Sequence, residues 1–497
     1  MGPNMETTDA GDLARFGYRQ ELDRTLGRFS SFAAGFSYIS ILTGLFQTFY
    51  LGYGAGQGVF VFSWPLVLGG QFLVALTFAE LAAHYPLSGG AYQWAKHVGS
   101  PWLGWMAGCV YLACLIVTLA AVALALQSAA PQISSAFQLI GNASDAHDSA
   151  VNAVILGCIL ICVSMILNAV GVRFLALVTN AGVFSELIGV VTLIALLFFH
   201  MRRPAAAVVN SGAFHGPATP WGGALLASAA LTASYVMYGF DTAGALAEET
   251  SNPRRTAPRA ILQALGAAGI LGFVLLVAAL MAAGALNAPE LGRIDGGLPS
   301  IVTGALGLTF GRVLLCDVLF AIFVCALAVH AGAVRLVFAM ARDGRFPYAA
   351  ALSRVSPRFR TPVVPAVIVG VAAISVLVVN VNLPRIVELV TMVAVLWANL
   401  AYLLVNASLI WRRRQAWPPA GSPAGVFSLG ALGTPVNIAA VLWSTFMVVN
   451  VGWPRASTYG PLWQQRFAPV LLTAALLALS AAASGARRTP VAQPAPV

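Results

Sequence analysis

Apolar runs of roughly twenty residues, enough to cross a ~30 Å hydrocarbon core, recur along nearly the whole of this 497-residue chain. A chain built this way has few options. With no water at membrane depth to satisfy exposed backbone groups, each run must close its hydrogen bonds within itself as a helix, so an all-α membrane protein is expected. Composition agrees: 59% of residues are hydrophobic, 9% are charged, and the mean hydropathy is +0.83. Soluble globular chains rarely reach that balance. Residues 1–27 are polar, with Arg15, Arg19 and Arg24 but no small-residue cleavage site, so no cleaved signal peptide is expected there.

Polar, proline and glycine punctuation divides the runs into twelve expected spans: 29–51, 59–83, 102–128, 151–169, 174–200, 221–245, 260–284, 305–340, 362–381, 386–411, 434–451 and 463–484. The eighth is longer than one crossing needs and is expected to tilt or protrude toward Arg335–Arg342. With the N-terminus inside, the inner segments hold 20 of the 27 Lys and Arg residues, so both termini are expected to be cytoplasmic, in a plasma membrane, or the inner membrane of a bacterium. The net charge of +10 therefore reads as topology, because the arginines punctuate span ends and form no single basic face for nucleic acid. All six cysteines lie in apolar segments. The spacing of Cys158 and Cys162 reads as helix packing, with no second pair or histidine to make a metal site, and neither metal nor cofactor is expected.

Span count alone fits channels, respiratory subunits and carriers. Interruptions within spans discriminate. The first span contains SYISILTGLFQ (Ser37–Gln47), which places Ser40, Thr43 and Gly44 mid-membrane, and the sixth contains YGFDTAG (Tyr238–Gly244). At five spans per unit, spans one and six correspond in two halves of opposite topology, and paired breaks in such a repeat point to the binding site of a secondary transporter. A broken helix frees N–H groups that suit a carboxylate and carbonyls that suit a cation, and a zwitterion matches both. Gly44 and Gly239 are expected to let the backbone unwind, although Gly44 alone also reads as a helix-packing glycine.

These residues resemble the amino acid, polyamine and organocation (APC) superfamily, particularly its amino acid and choline transporter branch. The resemblance rests on AELAAHYPLSGGAYQWAKHVGSPWLGW (Ala79–Trp105), GFDTAGALAEETSNPRRTAPRAI (Gly239–Ile261) and ARDGRFP (Ala341–Pro347), in order and at the family's spacing across roughly 25–415. It implies a five-plus-five inverted repeat (29–200 and 221–411) with helices 1 and 6 broken, followed by two further helices (434–484), between tails 1–28 and 485–497. It also implies a cavity between segments 1, 3, 6, 8 and 10, worked by alternating access. By position, Thr43 and Gly44 fall where relatives meet the substrate carboxylate, Gly239, Phe240 and Asp241 fall at the segment-six break, and Tyr235 falls near an occluding aromatic lid.

The candidate substrate contacts are Ser40, Thr43, Gly44, Tyr235, Tyr238, Gly239, Phe240, Asp241 and His330. The candidates for proton coupling or gating are Asp241, Glu186, His330 and Glu80. Each charged group at membrane depth has a quieter reading. Asp241 also suits a structural acceptor for the broken backbone, Glu186 a fixed helix-bundle hydrogen bond, and His330 a satisfied buried histidine. Glu80, Glu248 and Glu249 read as salt-bridge or gate groups near Arg254, Arg255, Arg342 and Lys96. Asp317 and Glu388 also lie within apolar runs, and the sequence alone does not assign their partners.

Segment eight, from Ala321 to Ala341, offers no Ser, Thr, Asp or Asn oxygen to a hard cation, which favours proton coupling, exchange or uniport over sodium. The expected activity is a permease for an amino acid or related small amine. Choline, drawn to an aromatic cage of Tyr235, Tyr238 and Phe240, and a polyamine are the alternatives within transport. A non-transporting nutrient sensor is the other class, disfavoured by short tails. A channel needs no matched breaks, and an enzyme is not expected, since HExxH, a partnered GxSxG and a phosphate loop are all missing.

Overall fold

The computed structural model describes residues 13–142, 145–209, 220–293, 296–379, 386–415, 417–418 and 425–485. The expected C-terminal tail past Gly485, with Arg487 and Arg488, lies outside them, as do residues 1–12. Regular structure among the described residues is helical, apart from one isolated parallel bridge between Leu26 and Thr250. Among the described residues, nine helical stretches are long and apolar enough to cross a membrane, joined by two shorter apolar helices, Trp221–Val236 and Val363–Val379.

The first stretch, Arg28–His84, is three helices in succession: α1 (Arg28–Ile39), α2 (Ile41–Gly56) and α3 (Phe60–His84). The chain continues through α4 (Ala91–Val98), α5 (Pro101–Leu124), α6 (Leu126–Ile133), α7 (Ala146–Val170) and α8 (Val172–Phe199). Segment six begins as α9 (Trp221–Ser228), passes through a π-helical turn at Ala229–Ala233, ends its helix at Val236, and resumes as α10 (Thr242–Ala245). Then follow α11 (Pro253–Ala282), α12 (Gly297–Arg342), α13 (Val363–Val379), α14 (Ile386–Gln415), α15 (Gly433–Gly452) and α16 (Trp463–Gly485).

Burial explains the arrangement. On α8, Phe184, Ile188 and Val191 face outward while Glu186 and Thr179 are buried, the reverse of a water-soluble helix and the pattern a lipid solvent imposes. Helix α5 lies along α14, α3 along α11, and α12 touches α2, α5 and α8, so the two interrupted segments are enclosed by continuous helices.

Helix α12 starts before the expected position 305. Its 46 residues, about 69 Å at ~1.5 Å per residue, exceed one crossing, and the run is kinked at Gly307 (φ 77°, ψ 167°).

The first break also differs from expectation. It falls at Ser40 (φ 34°, ψ 97°), one turn before Gly44. Gly44 is helical, its N–H donates to the Ser40 carbonyl at 2.9 Å, and a Cβ there would run into the Val236 side chain. Its lack of a side chain therefore serves close helix packing rather than unwinding.

The π turn in segment six has a local use. It sets the Thr232 hydroxyl to donate to the Thr48 carbonyl at 2.6 Å and accept the Gly52 N–H at 3.1 Å, locking α2 to segment six just beyond the breaks.

Candidate functional site

At the second break, Gly239 adopts φ 87°, a conformation open to glycine, and a Cβ at that position would strike the Tyr38 ring. The two breaks are thus in contact, with Tyr38 at the end of α1 lying against Gly239. Asp241, two residues on, starts α10. Its backbone carbonyl accepts N–H bonds from Gly244 (2.8 Å) and Ala245 (2.9 Å), but its carboxylate does not cap the helix.

That carboxylate is wholly buried and points at tyrosines. Oδ1 accepts the hydroxyl of Tyr111 on α5 at 2.7 Å and that of Tyr402 on α14 at 2.5 Å. Tyr402 also accepts the Gly239 N–H at 2.9 Å, so Asp241 holds an orphan backbone donor of the break through one intermediary. Oδ2 is different. It is buried and has no hydrogen-bond partner among the described residues, and the Tyr38 hydroxyl is in the same condition. One carboxylate oxygen steadies the break while the other is unspent, although a buried unpaired acceptor costs stability.

Aromatic rings surround this group. Tyr38 and Tyr238 meet edge to face at 5.7 Å, Tyr111 and Tyr402 lie 5.9 Å apart, and Phe240 and Phe78 pack on Tyr402 at 5.5 Å and 4.9 Å. The Tyr238 hydroxyl shares a 2.7 Å bond with Thr118. Tyr235 stands 5.9 Å from Tyr238 and donates to Gln47 at 3.2 Å, whose amide in turn donates to the Ala121 carbonyl at 2.7 Å.

The first break is served by another helix. Oε1 of Glu186 on α8 accepts the Leu42 N–H at 3.1 Å and lies 3.0 Å from the Ser40 hydroxyl. The Ser40 hydroxyl also accepts the Thr43 N–H at 3.3 Å and sits 2.6 Å from the Thr43 hydroxyl. Since Ser40 has one proton to give, the consistent arrangement is a chain in which Thr43 donates to Ser40 and Ser40 donates to Glu186. The N-terminus of α2 is therefore already capped by a protein carboxylate.

The structure thus brings Ser40, Thr43 and Glu186 together at one break, and Tyr238, Gly239, Phe240 and Asp241 together at the other, with Tyr235 alongside. His330 stands apart. Its Nε2 is 2.9 Å from the Ala366 carbonyl and its Nδ1 3.0 Å from the Ser164 hydroxyl, so a neutral ring donates through Nε2, accepts through Nδ1, and staples α12 to α13 and α7.

Glu80 is equally remote, and its partners differ from those expected. Arg413 pairs with its Oε2, while the Ser428 hydroxyl and the Leu429 N–H each reach Oε1 at 3.0 Å. Arg254 instead donates to the Ala83 and His84 carbonyls, covering the end of α3. Asp317 has a partner after all, the Ser185 hydroxyl at 2.5 Å.

Unforeseen by the sequence reading were Tyr38, Tyr111, Tyr402, Thr118 and Gln47. Two of them carried a signal, as Tyr38 and Gln47 sit within the Ser37–Gln47 stretch. Tyr111 and Tyr402 are isolated in apolar runs three and ten, and only the expectation of a cavity involving those runs singles them out.

The end face bearing the N-terminal segment is closed by ion pairs. Arg342 grips Glu248 through two bonds of 2.8 and 2.9 Å, Arg335 meets Glu249 at 3.1 Å with both side chains buried, and Lys96 meets Asp343 at 2.6 Å. Tyr18 donates to Asp343 at 2.8 Å beneath the Arg342 guanidinium, 3.9 Å from its ring centre. The Ser88 N–H donates to Glu248 at 2.9 Å, tying the Ser88–Gly90 turn to the end of segment six. Burial would raise the Asp343 carboxyl, but Lys96 and the tyrosine hydroxyls outweigh it and hold it below the ordinary carboxylate range.

A bundle with an apolar exterior, two facing chain breaks and an unspent carboxylate between them defines a multi-pass membrane protein organised around an interior polar site. Residues 26–476 match the family model described as "Amino acid permease". The chain belongs to that family, within the APC superfamily. It is 28% identical over 469 residues to Amino-acid permease BAT1 of Arabidopsis thaliana, covering 89% of this chain and 88% of that one. It is 27% identical to Amino-acid permease 2 of Neurospora crassa (91% and 83% covered) and 26% identical to the low-affinity putrescine importer PlaP of Escherichia coli (80% and 83% covered).

Proposed function

We propose that this protein is a secondary active transporter that moves an amino acid or related small amine across the plasma membrane by alternating access. Its relatives include proteins named as amino-acid permeases and as a putrescine importer, which supports this range of substrates. The nine long apolar stretches, with Arg28–His84 divided at Gln57–Val59 and the two shorter helices added, are consistent with twelve crossings in a five-plus-five inverted repeat followed by two helices. The basic end face with Lys96, Arg342 and Arg413 is then cytoplasmic, and its ion pairs form the inner gate.

The observation that carries this reading is Asp241, with Oδ1 committed to Tyr111 and Tyr402 and Oδ2 buried without a partner at the meeting of the two breaks. Asp241→Asn keeps an amide oxygen for both tyrosines, so the protein should reach the membrane in normal amount while uptake into proteoliposomes falls at least tenfold. Wild-type kinetics in that variant would remove Asp241 from the mechanism.

Coupling rests on protons or exchange in this reading, with Glu186 as the carboxyl whose protonation reorganises the first break. Uptake by the reconstituted wild-type protein should respond to an imposed pH gradient or to substrate inside the vesicle. A strict requirement for a sodium gradient, with indifference to pH, would overturn that part.

A further inference from the structure

We propose that the group recognised at this site is a positively charged nitrogen, that no substrate carboxylate is needed, and that the preferred substrate is a small amine without a carboxylate. The inference rests on the permease reading and narrows it.

The argument starts at the end of the site that would hold an anion. At the N-terminus of α2, the Leu42 N–H goes to Glu186, the Thr43 N–H to the Ser40 hydroxyl and the Gly44 N–H to the Ser40 carbonyl. The Ser40 hydroxyl lies on Glu186 as well. The donors that an incoming carboxylate would use at this end are spent, one on the Glu186 carboxyl group and two on Ser40. An incoming carboxylate would lose its water here with no donor left to receive it, which disfavours it.

The other end is complementary to a cation. Asp241 Oδ2 is an acceptor with no donor, and close to it stand Tyr38, Tyr111 and Tyr402, aromatic groups with hydroxyl oxygens that favour an ammonium. The Tyr38 hydroxyl, also without a partner, supplies a further oxygen. An alkylammonium offers three N–H donors and no acceptor, which matches a site with acceptors left over. The side chains identified at the two breaks include two carboxylates and no lysine or arginine, so recognition of a zwitterion would leave its negative end without a counter-charge.

A four-carbon series separates the possibilities: 1,4-diaminobutane, butylamine, 4-aminobutyrate and butyrate, with leucine as an α-amino acid. Binding to purified full-length protein in lipid nanodiscs is read by competition against radiolabelled diaminobutane and by the shift in thermal unfolding. The diamine and butylamine should bind, butyrate should not, and 4-aminobutyrate should bind about tenfold or more weakly than the diamine. Asp241→Asn should abolish the diamine-dependent shift.

Ser40→Ala frees the Thr43 N–H at the start of α2, so 4-aminobutyrate should gain on the diamine, a change of preference that a purely structural role would not produce. Equal or tighter binding of 4-aminobutyrate or leucine to the wild-type protein overturns the inference, whatever the variants do. Uptake in proteoliposomes keeps the two readings distinct. Transport of leucine but not of the amines sinks this inference alone, whereas binding without transport of any compound sinks the permease reading.

Discussion

Gly239 is the residue at which backbone geometry and site geometry coincide. Its φ of 87° strains any side-chain-bearing residue by roughly 1–2 kcal/mol, and the Tyr38 ring occupies the place a Cβ would take. Gly239→Ala should therefore lower the thermal unfolding midpoint and depress uptake more than the backbone strain alone predicts, because Tyr38 must move and it lines the site. An alanine variant with wild-type melting and uptake would mean that the break adopts another conformation. Gly239 and Asp241 were legible in the sequence because a glycine beside an acid is costly inside an apolar span and calls for a reason. Tyr111 and Tyr402 were not, since a tyrosine is cheap in such a span and its hydroxyl partner is far away in sequence. Glu186 stood out for the same reason as Asp241, yet only the fold shows that its partners are Ser40 and Leu42.

Helix α2 illustrates the next scale, because a helix that starts in mid-bundle needs its first donors satisfied. Its cap is supplied from α8, so the stability of one element is written into another. Glu186→Leu leaves the Leu42 N–H and the Ser40 hydroxyl buried without their acceptor and should cost about 1–3 kcal/mol, read as a lower unfolding midpoint and lower membrane yield. Glu186→Gln should recover most of that loss. If the leucine variant were as stable as the glutamine one, the cap would be incidental. This division of labour also explains why the sequence misplaced the first break. Serine, threonine and glycine all occur between Ser40 and Gly44, and local preference favoured the glycine, whereas the deciding contact comes from 146 residues away. The apolar runs themselves, by contrast, were legible to within a few residues for most spans, since hydrophobic length is a local property. The exceptions are α11, which starts at Pro253 instead of 260, and α12, whose start at Gly297 is bound into the fold by tertiary contacts rather than marked by hydropathy.

For the molecule as a whole, the closed end face has a pH dependence that follows from two groups outside the spans. His97, half-buried on α4, donates from its ring to the Gln93 carbonyl at 2.8 Å, and burial lowers it below its ordinary value of 6.5. As pH falls below 6.5, the unfolded chain takes up a proton at His97 before the folded one does, so stability is lost on acidification from that point downward. Asp343 acts in the same direction but later. Its carboxyl is held below 3.8, so its contribution is complete above that value and disappears only as pH falls through its folded value. The first loss in mild acid therefore belongs to the histidine and not to the Lys96–Asp343 pair. Thermal unfolding of the wild-type protein in detergent should show a midpoint that declines from pH 7.5 to pH 5.5, and His97→Gln, which cannot take up the proton in either state, should make that decline shallower. Asp343→Asn should lower the midpoint across this whole range, because it removes a pair that is ionised throughout, and should steepen the decline slightly, because the Asp343 charge raises His97 in the folded state. A wild-type midpoint that rises with acid, or a slope abolished by Asp343→Asn and untouched by His97→Gln, would reverse the assignment and place the acid sensitivity of this end face in its ion pairs.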